Sequence, residues 1–198
     1  MPGMERRTGI YSGTFDPVHP GHITFATEAM RVCNLDEVVF LPEQRPRGKH
    51  NVVDISHRLA MIDRATMAIA GLRALSLQSE RFTVQDTLPE LQDIFGDAPL
   101  TLLLGSDVVR TFPYRWDGLD VLLGSVSLAI GMRANDDPND ILAIMQELEQ
   151  GYDPPIQYSL VHTPDADIAS SQIRNGTADT SRLPPAMLDY IQTHGFYT

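Results

Sequence analysis

Short apolar runs alternate with stretches of helical periodicity along most of the chain. Residues 8–12, 37–42, 73–77, 100–104, 126–130 and 156–161 have the length and composition of buried strands. Helical spacing occupies 19–33, 55–70, 140–150 and 184–193. In the second of these, Ile55, Leu59, Ile62, Ala65, Ala68 and Ile69 share one face. This alternation predicts an α/β fold, a Rossmann-like doubly wound parallel sheet with helices on both faces. Crossovers in such a sheet are right-handed, and ligands bind beyond the carboxyl ends of the strands. Gly13 and Gly105 each end a predicted strand, which places both on that rim. Residues 1–198 read as a single domain, with a helical segment from about 168 to 198 packing on it.

Charge narrows the picture. The 15 lysines and arginines face 26 carboxylates, a formal net charge of −11. So acidic a chain repels nucleic-acid backbones, and no nucleic-acid partner is expected. It repels a nucleotide too, so a nucleotide site must gather the few cations. The densest group is Arg45, Arg47, Lys49 and His50 in the irregular stretch 43–54, which reads as a lid over phosphate. A second irregular stretch, 163–168, leads to a Ser-Ser pair. No apolar run is long enough to span a bilayer and no secretory leader is evident. A cytoplasmic location, soluble substrates and no membrane partner are therefore expected; oligomeric state is not addressed. Cys33 is the one cysteine, excludes an internal disulfide, and reads as a small buried hydrophobe.

The densest chemistry lies in GTFDPVHPGH, residues 13–22. It reads as a strand end, a glycine turn and a helix start. Pro20 suits the first helical turn, and Gly21 keeps side chains out of the way of a ligand. Free N–H groups and the helix dipole there favour an anion. His19 and His22, three residues apart, share a helix face and can stabilise charge during phosphoryl-type transfer. A bare HxxH pair is more often solvated or metal-bound. The glycine turn after a strand favours phosphate, and neither Cys33 nor a nearby carboxylate pair supplies further metal ligands, so no protein metal site is expected.

Three further segments bear on the site. In IASSQIR, residues 168–174, Ser170 and Ser171 read as N-caps, and Arg174 can fork onto phosphate oxygens; an ordinary capped helix is the competing reading. In LLLGSD, residues 102–107, Asp107 either accepts from ribose hydroxyls or caps the next helix. Trp116 either stacks on a heterocyclic ring or packs in the core.

The first motif resembles the (T/H)xGH signature of the nucleotidyltransferases, and IASSQIR resembles that superfamily's SSxxIR-type segment. FTVQDTL at 82–88, LLLGSD followed by a Trp, and LPPAMLDYIQTHGFY at 183–197 are similar to the bacterial nicotinate-nucleotide adenylyltransferases. The resemblance implies a Rossmann-like nucleotidyltransferase with ATP and nicotinate mononucleotide as partners. The mononucleotide phosphate would attack the α-phosphorus in line, giving deamido-NAD and pyrophosphate, with Mg²⁺ arriving on ATP. It implies that Gly13, Thr14, Phe15 and Gly21 line the phosphate turn and that His19 and His22 stabilise the transferring group. Gly105 and Asp107 would hold the ATP ribose, and Ser170, Ser171, Ile173 and Arg174 the adenosine and pyrophosphate. Lys49, Thr83, Thr87 and Trp116 would lie near the mononucleotide. Departures from the family pattern at 45–49, at Ala169 and in the placing of Trp116 bear on the acceptor. Nicotinamide mononucleotide, another phosphate ester such as phosphopantetheine, or CTP in place of ATP stays open, as does a non-catalytic nucleotide-binding regulator.

Overall fold

The computed structural model describes residues 6–133, 135–163 and 168–197. Six parallel strands form one sheet: β1 (Thr8–Gly13), β2 (Glu37–Pro42), β3 (Leu72–Ala74), β4 (Leu100–Gly105), β5 (Ser127–Met132) and β6 (Tyr158–His162). Their order is β3-β2-β1-β4-β5-β6, so chain progress reverses between β1 and β4. That reversal opens a crevice at the carboxyl ends of the two central strands, where sheets of this kind bind ligands. β1 pairs in register with β2 from Thr8↔Glu37 to Gly13↔Pro42, and with β4 from Thr8↔Leu100 to Tyr11↔Leu103. Strand β2 is buried along its whole length, as its continuous apolar run requires.

Helices α1 (Pro20–Val32) and α2 (Ile55–Thr66) cover one face of the sheet, together with the short α7 (Ser170–Arg174) and α8 (Pro185–His194). Phe25, Ala29, Met61, Ile62, Ile173, Met187 and Ile191 interlock there with Val38, Phe40, Leu103 and Ala129. The opposite face carries α3 (Val84–Phe95), α4 (Ser106–Val109), α5 (Leu119–Ser125) and α6 (Pro138–Glu149). Leu88, Leu91, Leu122, Ile141 and Met145 close that layer over Ile10, Leu102 and Ile130.

Three expectations are corrected, and one helix goes beyond them. The buried stripe of α2 is Arg58, Met61, Ile62, Ala65 and Thr66, while Ala68 lies beyond the helix and is exposed. A charged residue inside the stripe rotates it away from the apolar face read from sequence. Residues 82–95 contain a full helix, capped by Thr83, whose hydroxyl accepts from the Asp86 N–H. Pro89 in its second turn removes a backbone donor, while Val84, Leu88 and Leu91 keep the helical period across it. Strand β3 ends at Ala74, short of 77. Cys33 is half-buried at the end of α1, and partial burial pushes its thiol pKa up. No helix among the described residues is long and apolar enough to cross a membrane.

Candidate active site

The crevice at the strand reversal is a cleft of about 320 Å³. Its floor comes from strand ends: Tyr11 from β1, Gly105 from β4, and Gly131 with Arg133 from the end of β5. A Cβ at Gly131 would meet the Phe25 ring at 2.9 Å, so glycine is needed there, whereas one at Gly105 would meet only the end of the exposed Asp107 side chain. His19, Gly21 and His22 form one wall at the start of α1, Ser170, Ser171 and Arg174 another, and Lys49 reaches in from the basic loop.

His19 is the N-cap of α1, with extended backbone, and Pro20 occupies the first helical position. The two imidazole rings lie 3.7 Å apart, centre to centre, at 34°. The backbone N–H of His19 donates to Nδ1 of His22 at 3.2 Å, which puts the proton of a neutral His22 on Nε2. Tyr11 and Phe15 meet the His22 ring edge-on at 5.9 and 5.0 Å and fix its plane. Nδ1 of His19 is buried and has no hydrogen-bond partner. A buried orphan of this kind costs about 1–3 kcal/mol.

Burial drops the His19 pKa to about 4, and burial with the nearby His19 and Lys49 charges holds His22 well below its usual value. Both rings are therefore neutral donors at pH 7. An unfolded histidine protonates near pH 6.5, so between 6.5 and 4 the unfolded chain holds more protons and folding stability falls as pH is lowered. At pH 4.5 the loss from His19 is on the order of 2 kcal/mol, from about 1.4 kcal/mol per unit. Urea unfolding at pH 7 and pH 4.5 should show this extra loss in the wild type and not in His19→Asn; equal losses would remove His19 as the source.

The turn beneath the histidines is held from several directions. Phe15 has a left-handed φ of 49° and is fully buried against Tyr11 and Phe40. Arg58, 1% exposed, donates to the carbonyls of Thr14 and Val53, both at 2.7 Å, and of Gln44 at 3.4 Å. Its pKa is lowered, chiefly by burial, against the opposing pull of Asp16. Arg174 Nη1 donates to the Asp16 carbonyl at 2.6 Å, and the Ser170 hydroxyl to the Pro17 carbonyl at 2.9 Å.

The structure thus brings His19, His22, Gly21, Gly105, Lys49, Ser170, Ser171 and Arg174 to one cleft. Gly13, Thr14 and Phe15 lie beneath it as the supporting turn, and the Ile173 side chain is core. The expected N-cap role of the serines is corrected: Ala169 occupies the cap, its N–H donates to Gln172 Oε1 at 2.8 Å, and both serines sit in the first turn. Asp107 is no cap either, since Gly105 holds that position; Asp107 stands on the rim, 3.6 Å from Arg133. Thr83, Thr87 and Trp116 are outside the cleft lining. Thr83 caps α3, Thr87 is buried and accepts from the Thr83 N–H at 3.1 Å, and Trp116 packs edge-on against Phe112 at 6.1 Å. Arg45 is paired with Glu80 at 3.2 Å, so the front of the basic loop is pinned while Lys49 faces the cleft. Of the stretch 163–168, residues 164–167 lie outside the described residues.

Sequence reasoning missed Tyr11, Arg133, Asp136 and Arg58. Asp136 accepts from the Ser106 hydroxyl at 2.6 Å and from the Arg133 N–H at 2.7 Å, fastening the ends of β4 and β5 together. For Tyr11 and Arg133 the available signal was position at a strand's carboxyl end; for Arg58 and Asp136 there was none. Among the described residues no group of three metal-ligating side chains converges. The lining is imidazole, ammonium, guanidinium and hydroxyl, a donor set suited to phosphate oxygens.

Imidazoles and cations around a cleft of about 320 Å³, set at the reversal of a parallel sheet, are a lining that suits a nucleotidyltransferase. The cytidylyltransferase-like family model matches residues 10–176. A probable nicotinate-nucleotide adenylyltransferase of Gemmatimonas aurantiaca is 32% identical, with 96% of this chain and 92% of the relative covered. One from Lachnoclostridium phytofermentans is 28% identical over 97% of this chain and 99% of its own. The chain belongs to the cytidylyltransferase-like family and, within it, to the nicotinate-nucleotide adenylyltransferases. The fold is also that of a Plasmodium falciparum nicotinic acid mononucleotide adenylyltransferase complexed with NaAD, at a TM-score of 0.73 and 19% identity over 97% of each chain.

Proposed function

We propose that this protein transfers the adenylyl group of ATP to the phosphate of nicotinate mononucleotide, forming deamido-NAD and pyrophosphate in the cytoplasm. The observation that carries the reading is the stacked pair of neutral imidazoles beside the cleft, one with a buried nitrogen left without a partner. A phosphate oxygen of the mononucleotide attacks the α-phosphorus. The bond from that phosphorus to the bridging oxygen breaks, and the electron pair leaves with pyrophosphate. Nε2–H of His22 and the free edge of His19 donate to the oxygens on which charge builds. Lys49 and the guanidinium edge of Arg174 not used by Asp16 hold the polyphosphate. Tyr11, Gly105 and Gly131 leave room at the strand ends for the nucleoside. Mg²⁺ travels with ATP and neutralises part of its charge. The adenylyl group goes directly to the acceptor, and residues 1–198 act as one domain.

The test is pyrophosphate release with ATP, Mg²⁺ and either nicotinate or nicotinamide mononucleotide. Rapid release with the acid form is expected, and no release with either overturns the reading. In the same assay Lys49→Ala should raise the nucleotide KM about tenfold, one lost charge-assisted contact of about 1.4 kcal/mol. Arg45→Ala, already paired with Glu80, should stay within twofold.

A further inference from the structure

The phosphate turn carries a strained residue. Phe15 holds a left-handed φ of 49° with a bulky side chain, a conformation that persists only where its surroundings over-determine it. Asp16, next along, is 2% exposed and is gripped twice from the far end of the chain. Arg174 donates to its carbonyl, and the Tyr197 hydroxyl donates to Oδ1 at 2.6 Å across 181 residues of sequence. Tyr197 is itself held in a left-handed conformation at φ 60° and is partly buried against the same core layer as Phe15. Its neighbour Phe196 is seated among His57, Tyr190 and His194. Burial, reinforced by the bond to Asp16, keeps the Tyr197 hydroxyl protonated and donating. Neither Tyr197 nor Asp16 lines the cleft.

We infer that Tyr197 and Asp16 form a positioning pair: the end of the chain clamps the Phe15–Asp16 turn, and the turn sets the plane of the His22 ring. The geometric link is direct, since Phe15 lies edge-on against His22 at 5.0 Å. The inference rests on the adenylyltransferase reading for its kinetic readout only.

The decisive variant is Tyr197→Phe, which removes one oxygen and keeps the ring. Its kcat should fall about tenfold, with both substrate KM values within twofold and far-UV circular dichroism unchanged. Asp16→Asn, which keeps an acceptor and loses the charge, should give a smaller loss in the same direction, and the double variant should be no worse than the poorer single one. Independently of turnover, the imidazole ¹⁵N resonances of His22 should shift between wild type and Tyr197→Phe. If Tyr197→Phe keeps kcat within twofold and leaves those resonances in place, or if its loss falls on KM, the positioning role is overturned. Should Asp16→Asn fail to fold, Tyr197→Phe decides alone. Should the wild type release no pyrophosphate, the substrate reading falls, and the His22 resonances still decide the clamp.

Discussion

Replacing His22 with alanine should lower kcat by about 10²–10³-fold, the usual cost of one donor aimed at developing charge. The ring is locked for that duty. Its Nδ1 accepts from the His19 backbone, Tyr11 and Phe15 hold its edges, and its pKa lies well below the usual value, so at pH 7 it is a neutral ring with its proton on Nε2. Fold should survive, because α1 retains Phe25, Ala26 and Ala29 in the core. Steady-state kinetics should show kcat and kcat/KM falling together, the pattern of a contact made in the transition state. A variant with wild-type turnover would remove His22 from the chemistry.

Arg58→Met should cost about 3–5 kcal/mol of folding stability, the range for removing one member of a buried charged network. Methionine fills most of the stem volume, so the loss isolates the guanidinium. Without it the carbonyls of Thr14, Val53 and Gln44 lose a buried donor, and Asp16 loses a neighbouring positive charge. Those carbonyls belong to the phosphate turn and to both ends of the basic loop, so activity should fall with stability. Urea unfolding read by circular dichroism measures the change. A loss below about 1 kcal/mol would mean that water or a shifted backbone replaces the guanidinium at little cost.

Much of the architecture was legible because the strongest signals were local. Runs such as EVVFLP and LTLLLG are too apolar for anything but buried strands, and Gly13 and Gly105 do end β1 and β4. The histidine pair and Lys49 were legible for the same reason. Apart from α3, passed over although Val84, Leu88 and Leu91 keep helical spacing, what escaped was non-local. Arg58 sits on a buried helical face that any apolar count assigns to solvent. Arg133 was marked only by its place just past a strand's carboxyl end, which does not say that its side chain enters a cleft. Thr83 and Thr87 came forward through resemblance alone, and in the fold they cap α3 and brace its first turn; Trp116, read as either a stacking or a packing residue, packs against Phe112.

The hydrogen bond from the His19 backbone to His22 Nδ1 has a consequence for proton traffic. One nitrogen of that ring is spent on accepting from the N-cap of α1, so placing a proton on it would break that hydrogen bond. His22 therefore cannot shuttle protons between its two nitrogens. It suits a reaction between ions already in their reactive form, in which a phosphate displaces a phosphate and no hydrogen needs to change hands.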